Sequence, residues 1–196
     1  DLSPEDARVF EKESFAPVKH TAKETHLTLN TIYLNSSDIH SEIIRTCENE
    51  QPDFLILGSA RTIFSSDILG GVVRRILPEV SCDVLIFNEK NFREINQVLI
   101  LYFNNGDDYL LNYARMFKHN NETSFYYYLH SSGTNLSSVE SEFTGISAIP
   151  VNGSLLQPGF LKSMDLVMIA AKNWKTLEEE DKLPIDQFPS FLIIHK

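Results

Sequence analysis

Five short runs of apolar residues constrain the fold of this chain more than any other feature of its sequence. They are DFLILG (53–58), CDVLIF (82–87), QVLILYF (97–103), MDLVMIAA (164–171) and FPSFLIIHK (188–196). Each is too short to span a membrane, and none alternates apolar and polar residues as a half-exposed strand does. Runs of this kind are typical of strands buried on both faces of a parallel sheet. The sequence therefore predicts an α/β protein.

Helical segments separate these strands. A helix over residues 4–22 is predicted after the N-cap candidate Ser3, and Pro17 should end or kink it. Further helices are predicted over 37–51, 67–77 and 104–120, and further strands over 26–34 (HLTLNTIYL) and 123–131 (TSFYYYLHS). Strands that alternate with helices indicate a parallel sheet covered on both sides.

The order of elements is repeated along the chain. PDFLILGSA followed by SCDVLIF matches MDLVMIAAKN followed by FPSFLII, and a loop and a helix candidate separate the members of each pair. We interpret this pattern as an internal duplication. It predicts two halves, residues 1–90 and 91–196.

Composition excludes several classes of protein. The 196 residues carry a formal net charge of -10, which disfavours nucleic acid as a partner because phosphates require clustered Lys and Arg. No apolar run is long enough to insert into a membrane. The two cysteines, Cys47 and Cys82, form no disulfide framework and indicate a reducing compartment. The first residues, DLSPEDARVFEKE, do not resemble a natural start, so we expect an expression boundary or a cut within a longer chain.

The stretch GSARTIFSSDILGGV (58–72) has the pattern of a phosphate-binding loop. A glycine ends a strand, a polar loop follows, and Gly70 and Gly71 open a helix. Backbone N–H groups at such a turn can face an anion, and glycines let a phosphate come close to the backbone.

The same stretch resembles the loop of ATP-binding universal stress proteins. In that family Gly, two residues, Gly, nine residues and Gly precede a Ser or Thr, and here Gly58, Arg61, Gly71 and Val72 occupy those four positions. The resemblance implies two adenine-nucleotide-alpha-hydrolase-like (universal stress protein-like) parallel sheets, flanked by helices and packed as a pseudo-dimer. The last strands of the halves, 83–87 and 190–195, should then meet. The first strand of the first half would be missing or lie upstream.

A narrower resemblance lies in the second half. The segment VLILYFNNGDDYLLNYARMFKH is similar to one in the tandem stress-protein-like domains of cation/proton antiporters, at Asn105, Gly106, Asp107, Asp108, Tyr113, Ala114, Arg115 and Met116. It implies a cytosolic regulatory domain of a fungal-type potassium/proton antiporter of the second cation/proton antiporter family. The implied partners are an upstream transmembrane domain and a second copy in a homodimer. The implied location is the cytoplasmic side of a membrane, in the Golgi or another endomembrane.

Two departures from the family loop leave its chemistry open. Arg61 stands where the family has its second glycine, and Val72 stands where it has Ser or Thr. The glycines then either serve tight strand-to-helix packing, or Arg61 binds a phosphate through its bidentate guanidinium. On the second interpretation, Gly58, Ser59, Arg61, Gly70 and Gly71 bind an adenine nucleotide, AMP or ATP. The alternatives to antiporter regulation are a soluble nucleotide-binding stress protein and a structural dimerisation module without a ligand.

The remaining polar motifs predict no catalysis and no metal site. We interpret Asp107 and Asp108 as residues that stabilise a helix start, not as metal ligands. The second half has AAKNWKTLEEEDKLP in place of a glycine loop, so no second nucleotide site is expected there. The histidines lack metal-ligand spacing, and no Gly-x-Ser-x-Gly elbow is present. We expect a protein that is not an enzyme.

Overall fold

The computed structural model describes residues 3–59, 69, 71–90, 94–120, 122–130, 141, 143–151, 158–180 and 188–196. The chain divides into two compact units, Asp1–Thr46 and Cys47–Lys196. This division does not test the predicted halves 1–90 and 91–196, which stay a prediction.

The first unit contains helix α1, Pro4–Glu24. Ser3 caps it, because the Ser3 hydroxyl accepts a hydrogen bond of 3.1 Å from the backbone N–H of Asp6. The prediction that Pro17 ends or kinks the helix was wrong about its end, since α1 continues past Pro17 to Glu24. A proline removes one backbone donor, and on this exposed helix water can satisfy the carbonyl that loses its partner.

The predicted strand over 26–34 was also wrong, because these residues form neither strand nor helix. Alternating apolar residues stabilise a strand only when a neighbouring strand completes the hydrogen-bond ladder. The described part of the first unit contains no strand that could do so. Helix α2, Ile39–Glu50, follows and confirms the helix predicted over 37–51. The side chain of Asp38 accepts hydrogen bonds from the backbone N–H (3.3 Å) and hydroxyl (2.6 Å) of Ser41, so Asp38 caps α2.

The second unit is built on a seven-stranded sheet. Its strands are β1 (Phe54–Gly58), β2 (Asp83–Asn88), β3 (Gln97–Tyr102), β4 (Ser124–Leu129), β5 (Ile149–Pro150), β6 (Leu166–Ala170) and β7 (Ser190–His195). The order across the sheet is β1-β2-β7-β6-β3-β4-β5. All neighbours are parallel except β2 and β7, which are antiparallel. The predicted α/β class is therefore confirmed.

Helices connect these strands. They are α3 (Gly71–Ile76), α4 (Tyr109–Asn120), α5 (Pro158–Leu161) and α6 (Ala171–Glu180), and a 3-10 turn, Asn105–Asp107, precedes α4. The predicted helix over 104–120 thus begins with a 3-10 turn. The predicted start of the helix over 67–77 lies outside the described residues.

Strands β2 and β7 are the two segments that were predicted to meet, and they lie side by side. Leu85 lies opposite Ile194 and Phe87 lies opposite Leu192, which confirms that 83–87 pairs with 190–195. Strands β1 and β2 belong to the same continuous sheet as β3 to β7, which follow in the order β7-β6-β3-β4-β5. Packing of the halves as a pseudo-dimer stays a prediction.

The central strands are buried on both faces, as their composition predicted. One apolar cluster contains Leu99 and Ile193, and a second contains Ile100 and Ile194. Adjacent residues of one strand point to opposite faces, so the two clusters cover opposite sides of the sheet. For β1 the same prediction was wrong, because Phe54 and Ile56 are 38% and 56% exposed. β1 is an edge strand, and the described residues cover only one of its faces.

Candidate functional site

The predicted phosphate loop starts at the carboxyl end of β1. The backbone N–H of Ser59 donates a 2.8 Å hydrogen bond to the carbonyl of Phe87. The side-chain amide of Asn88 donates a 2.7 Å hydrogen bond to the Ser59 hydroxyl. The turn after β1 is thereby attached to the end of β2. Parallel α/β sheets commonly bind ligands at the carboxyl ends of their strands, and Gly58 and Ser59 lie at such an edge.

The glycines of this loop differ in their backbone requirements. Gly71 has a φ of +61°, in the left-handed region that favours glycine, where α3 begins. Gly58 has no positive φ, and a Cβ added there would meet no described atom within 4 Å. The described residues therefore give no packing reason for glycine at position 58.

Arg61 and Gly70 lie outside the described residues, so their roles stay predictions. Val72, at the family's Ser or Thr position, lies in the first turn of α3 and is partly exposed. Its side chain has no group that could donate a hydrogen bond to a phosphate.

The carboxyl ends of β3 and β6 contain a buried carboxylate, Asp107. Its Oδ2 atom accepts hydrogen bonds from the backbone N–H groups of Phe103 (2.8 Å) and Asn104 (3.2 Å) and from the side-chain amide of Asn173 (2.8 Å). Its Oδ1 atom lies 2.9 Å from the ammonium nitrogen of Lys172. Asp107 follows β3, and Lys172 and Asn173 follow the adjacent strand β6. The chain's own charged pair thus links the carboxyl ends of these two strands.

Gly106 makes room for this ion pair. A Cβ at Gly106 would lie 2.6 Å from the Lys172 ammonium nitrogen. Sequence reasoning noted Gly106 and Asp107 but missed Lys172 and Asn173. A usable signal was present, because the polar pair Lys172-Asn173 follows a buried strand at the position that the glycine loop occupies after residues 53–58.

The helix-start interpretation of the two aspartates is confirmed for Asp107. Asn104 is the N-cap, and Asn104 and Asp107 form a reciprocal capping box at the 3-10 turn that precedes α4. Asp108 instead accepts a short hydrogen bond from the hydroxyl of Tyr102. Within the described ranges, no group of three or more His, Cys, Asp or Glu side chains could hold a metal ion.

A surface groove of about 210 Å³ lies beside α4, at the amino ends of β1 and β2, and sequence reasoning missed it. It is lined by Asp53, Phe54, Asp83, Tyr109, Asn112, Tyr113, Met116 and Lys196. The hydroxyl of Tyr113 donates a 2.6 Å hydrogen bond to the Asp83 carboxylate. The hydroxyl of Tyr109 donates one of 3.0 Å to the carbonyl of Ile194.

Both tyrosines of the groove are difficult to ionise. Burial, followed by the hydrogen bond to Asp83 and its negative charge, raises the pKa of Tyr113. Burial and then the charges of Asp107 and Asp83 raise the pKa of Tyr109. Both hydroxyls therefore remain hydrogen-bond donors at neutral pH.

Comparison with known proteins identifies the fold. No family model matches this chain, and no curated protein matches it. Among solved structures, the chain is similar to a universal stress protein from Archaeoglobus fulgidus, with 16% sequence identity and a TM-score of 0.62. The match covers 98% of this chain and 79% of that protein. A likeness at this identity shows a universal stress protein-like fold, which the sequence resemblance had implied.

Within the described ranges, no helix combines the length and the apolar character that crossing a bilayer requires.

Proposed function

We propose that this chain is a non-enzymatic regulatory domain of a monovalent cation/proton antiporter, and that it binds an adenine nucleotide. The binding site would be the carboxyl edge of β1 and β2, and the ligand AMP or ATP. The chain would not carry ions itself. It would control an upstream membrane domain through ligand sensing or dimerisation.

One observation supports this proposal most strongly: the two equivalent edges of the sheet differ. At the first edge, the turn at Ser59 is attached to Asn88, and no described atom fills the space above Gly58. At the second edge, the Lys172–Asp107 ion pair joins the carboxyl ends of β3 and β6, so the chain itself supplies both charges there. A phosphate-bearing ligand is therefore expected at the first edge only.

We expect Arg61 to give the proposed site its selectivity for phosphate. It is three residues beyond Gly58, and a guanidinium offers paired donors that match phosphate oxygens. A hydrogen bond to a charged group contributes about 1.5–3 kcal/mol, which corresponds to roughly 10- to 100-fold in affinity. Arg61→Ala should therefore weaken AMP binding by at least about tenfold.

Titration calorimetry of the chain with AMP and with ATP tests this site. Arg115→Ala is the matched control, because Arg115 is an exposed arginine on α4 that contacts Asn112 at 3.0 Å. Gly58→Ala should also weaken binding, since its methyl group would enter the open space. Full AMP affinity in both Arg61→Ala and Gly58→Ala would exclude this site.

The antiporter assignment is supported by the segment VLILYFNNGDDYLLNYARMFKH (98–119), which resembles a segment of cation/proton antiporters. It needs a separate test. The complete natural protein should contain membrane-spanning segments and should exchange K⁺ for H⁺ in proteoliposomes. AMP should change that rate, and deletion of the present 196 residues should abolish the response. A natural protein without membrane spans would refute the antiporter assignment. The nucleotide site would then still be tested independently by calorimetry.

A dimerisation module is the second candidate function, and the exposed edge of β1 favours it. Phe54 and Ile56 point to the same face of this edge strand, and both are exposed. Open strand edges with apolar side chains are prone to pair with a second strand. Sedimentation should then show a concentration-dependent dimer that Ile56→Lys abolishes. A chain that stays monomeric at all concentrations would exclude this candidate.

A further inference from the structure

The two cysteines of the chain meet in the second unit. Cys47 lies in the last turn of α2, and Cys82 directly precedes β2. The Cys82 thiol is near enough to raise the pKa of the Cys47 thiol through its charge and a side-chain hydrogen bond, beyond the rise that burial causes. Both are free and half-buried, so a small molecule can reach them.

The sheet register explains why two residues so distant in sequence are neighbours. β1 and β2 are adjacent and parallel, with Phe54 opposite Asp83. Cys82 is the residue before Asp83. The chain leaves α2 through a tight turn at Gln51, whose backbone N–H donates a 2.9 Å hydrogen bond to the carbonyl of Cys47, and then enters β1. The segments that lead into the two strands therefore lie side by side.

We propose that Cys47 and Cys82 form a reversible intramolecular disulfide, which makes this pair a redox modification site. The oxidant would be a low-molecular-weight disulfide such as glutathione disulfide. Disulfides in reducing compartments are typically transient and serve redox sensing, so the proposal is compatible with the compartment that the composition indicates.

The reaction is a pair of thiol–disulfide exchanges. The Cys82 thiolate attacks one sulfur of glutathione disulfide, which forms a mixed disulfide and releases one glutathione thiolate. The Cys47 thiolate then attacks the sulfur of Cys82, which forms the Cys47–Cys82 bond and releases the second glutathione thiolate. The cysteine pair loses two electrons and two protons, and the two glutathione products gain them.

The surroundings of the thiols favour this order of attack. Burial raises the pKa of Cys47, and the neighbouring Cys82 raises it further. Less Cys47 thiolate is therefore present at neutral pH, and the thiolate is the attacking species. Cys47 is better suited to the second, intramolecular step, in which its neighbour is already in place.

The bond would close a covalent loop over residues 47–82. This loop contains β1, the predicted phosphate turn and α3, and its end adjoins Asp83, which accepts the hydrogen bond of Tyr113 in the groove. Oxidation would thus restrict the segment that holds Gly58 and Ser59. The disulfide proposal stands on the cysteine geometry and does not require that a nucleotide binds.

Thiol counting in glutathione redox buffers tests the proposal. The chain is equilibrated at a series of reduced-to-oxidised glutathione ratios, quenched in acid, labelled with maleimide under denaturing conditions and weighed by intact mass spectrometry. We expect a direct transition from two labelled thiols to none, in a monomer that carries no glutathione. Because a loop of this length is closed, the oxidised chain should melt about 10 °C higher than the reduced chain.

The single variants Cys47→Ser and Cys82→Ser are the matched controls. Each should stay fully labelled or carry one glutathione, and neither should show the rise in melting temperature. The proposal is overturned if the natural chain forms only glutathione adducts or cross-linked dimers. It is equally overturned if both thiols remain labelled at every ratio.

Discussion

Replacing Asp107 with alanine tests whether the ion pair at the second edge holds β3 and β6 together. Asp107→Ala removes the acceptor of the buried N–H of Phe103 and of the Asn173 amide, and it removes the partner of Lys172. Each unsatisfied buried donor costs about 1–3 kcal/mol. Loss of one member of a fully buried ion pair costs about 3–5 kcal/mol. The Lys172 side chain is 48% exposed and can be solvated, which lowers that contribution.

We therefore expect Asp107→Ala to reduce the free energy of unfolding by about 3 kcal/mol. Asp107→Asn keeps an acceptor for the backbone donors and loses only the charge, so it should cost about half as much. Lys172→Met leaves all three hydrogen bonds to Asp107 but removes the counter-charge of a fully buried carboxylate, so it should cost about 2 kcal/mol.

Urea unfolding followed by circular dichroism measures these changes, with m-values compared to verify that the extent of unfolding is the same. Lys175→Met is the matched control, because Lys175 is an exposed lysine on the same helix, α6. An Asp107→Ala chain within about 0.5 kcal/mol of the natural chain would refute a stabilising role for this cluster.

Three further predictions concern the loop, the groove and the ion pair. Gly71→Ala should destabilise the chain by about 1 kcal/mol, because Gly71 has a left-handed φ. Gly58→Ala should leave the urea midpoint unchanged, because an added Cβ there meets no described atom. Equal effects of the two substitutions on the urea midpoint would contradict this prediction. The raised pKa of Tyr113 means that the folded chain holds this proton more tightly than the unfolded chain. The stability that this proton contributes is complete below about pH 10 and is lost as the pH rises further. Tyr113→Phe should therefore reduce the loss of unfolding free energy at alkaline pH. An unchanged dependence of the unfolding free energy on pH would contradict this prediction. Gly106→Ala should displace the Lys172 ammonium group and reduce the unfolding free energy about as much as Lys172→Met does. A variant of unchanged stability that keeps the Lys172–Asp107 ion pair in a crystal structure would disprove the tight contact between Gly106 and Lys172.

Local composition was sufficient to predict most of the sheet. The runs at 97–103, 164–171 and 188–196 became β3, β6 and β7, because a continuous apolar run is stable in water only when both of its faces are covered. The pairing of 83–87 with 190–195 was also predicted, but only from the family resemblance.

The failed predictions concern features that depend on neighbours distant in sequence. Residues 26–34 alternate as a strand does, yet strand formation needs a partner, and the described part of their unit offers none. Residues 53–58 do form β1, but their composition could not show that this strand lies at an edge, where one face stays exposed. Local pattern determines what a segment can form, and the available partners determine whether it does.

The sequence by itself determined the α/β class, the central strands and the phosphate-loop pattern that begins at Gly58, because each depends on residues adjacent in the chain. Only the tertiary structure decided which side chains meet across the sheet. It brought Lys172 to Asp107, Tyr113 to Asp83 and Cys47 to Cys82. The physical reason is that strand order and register set these distances, and they are settled by packing of the whole sheet.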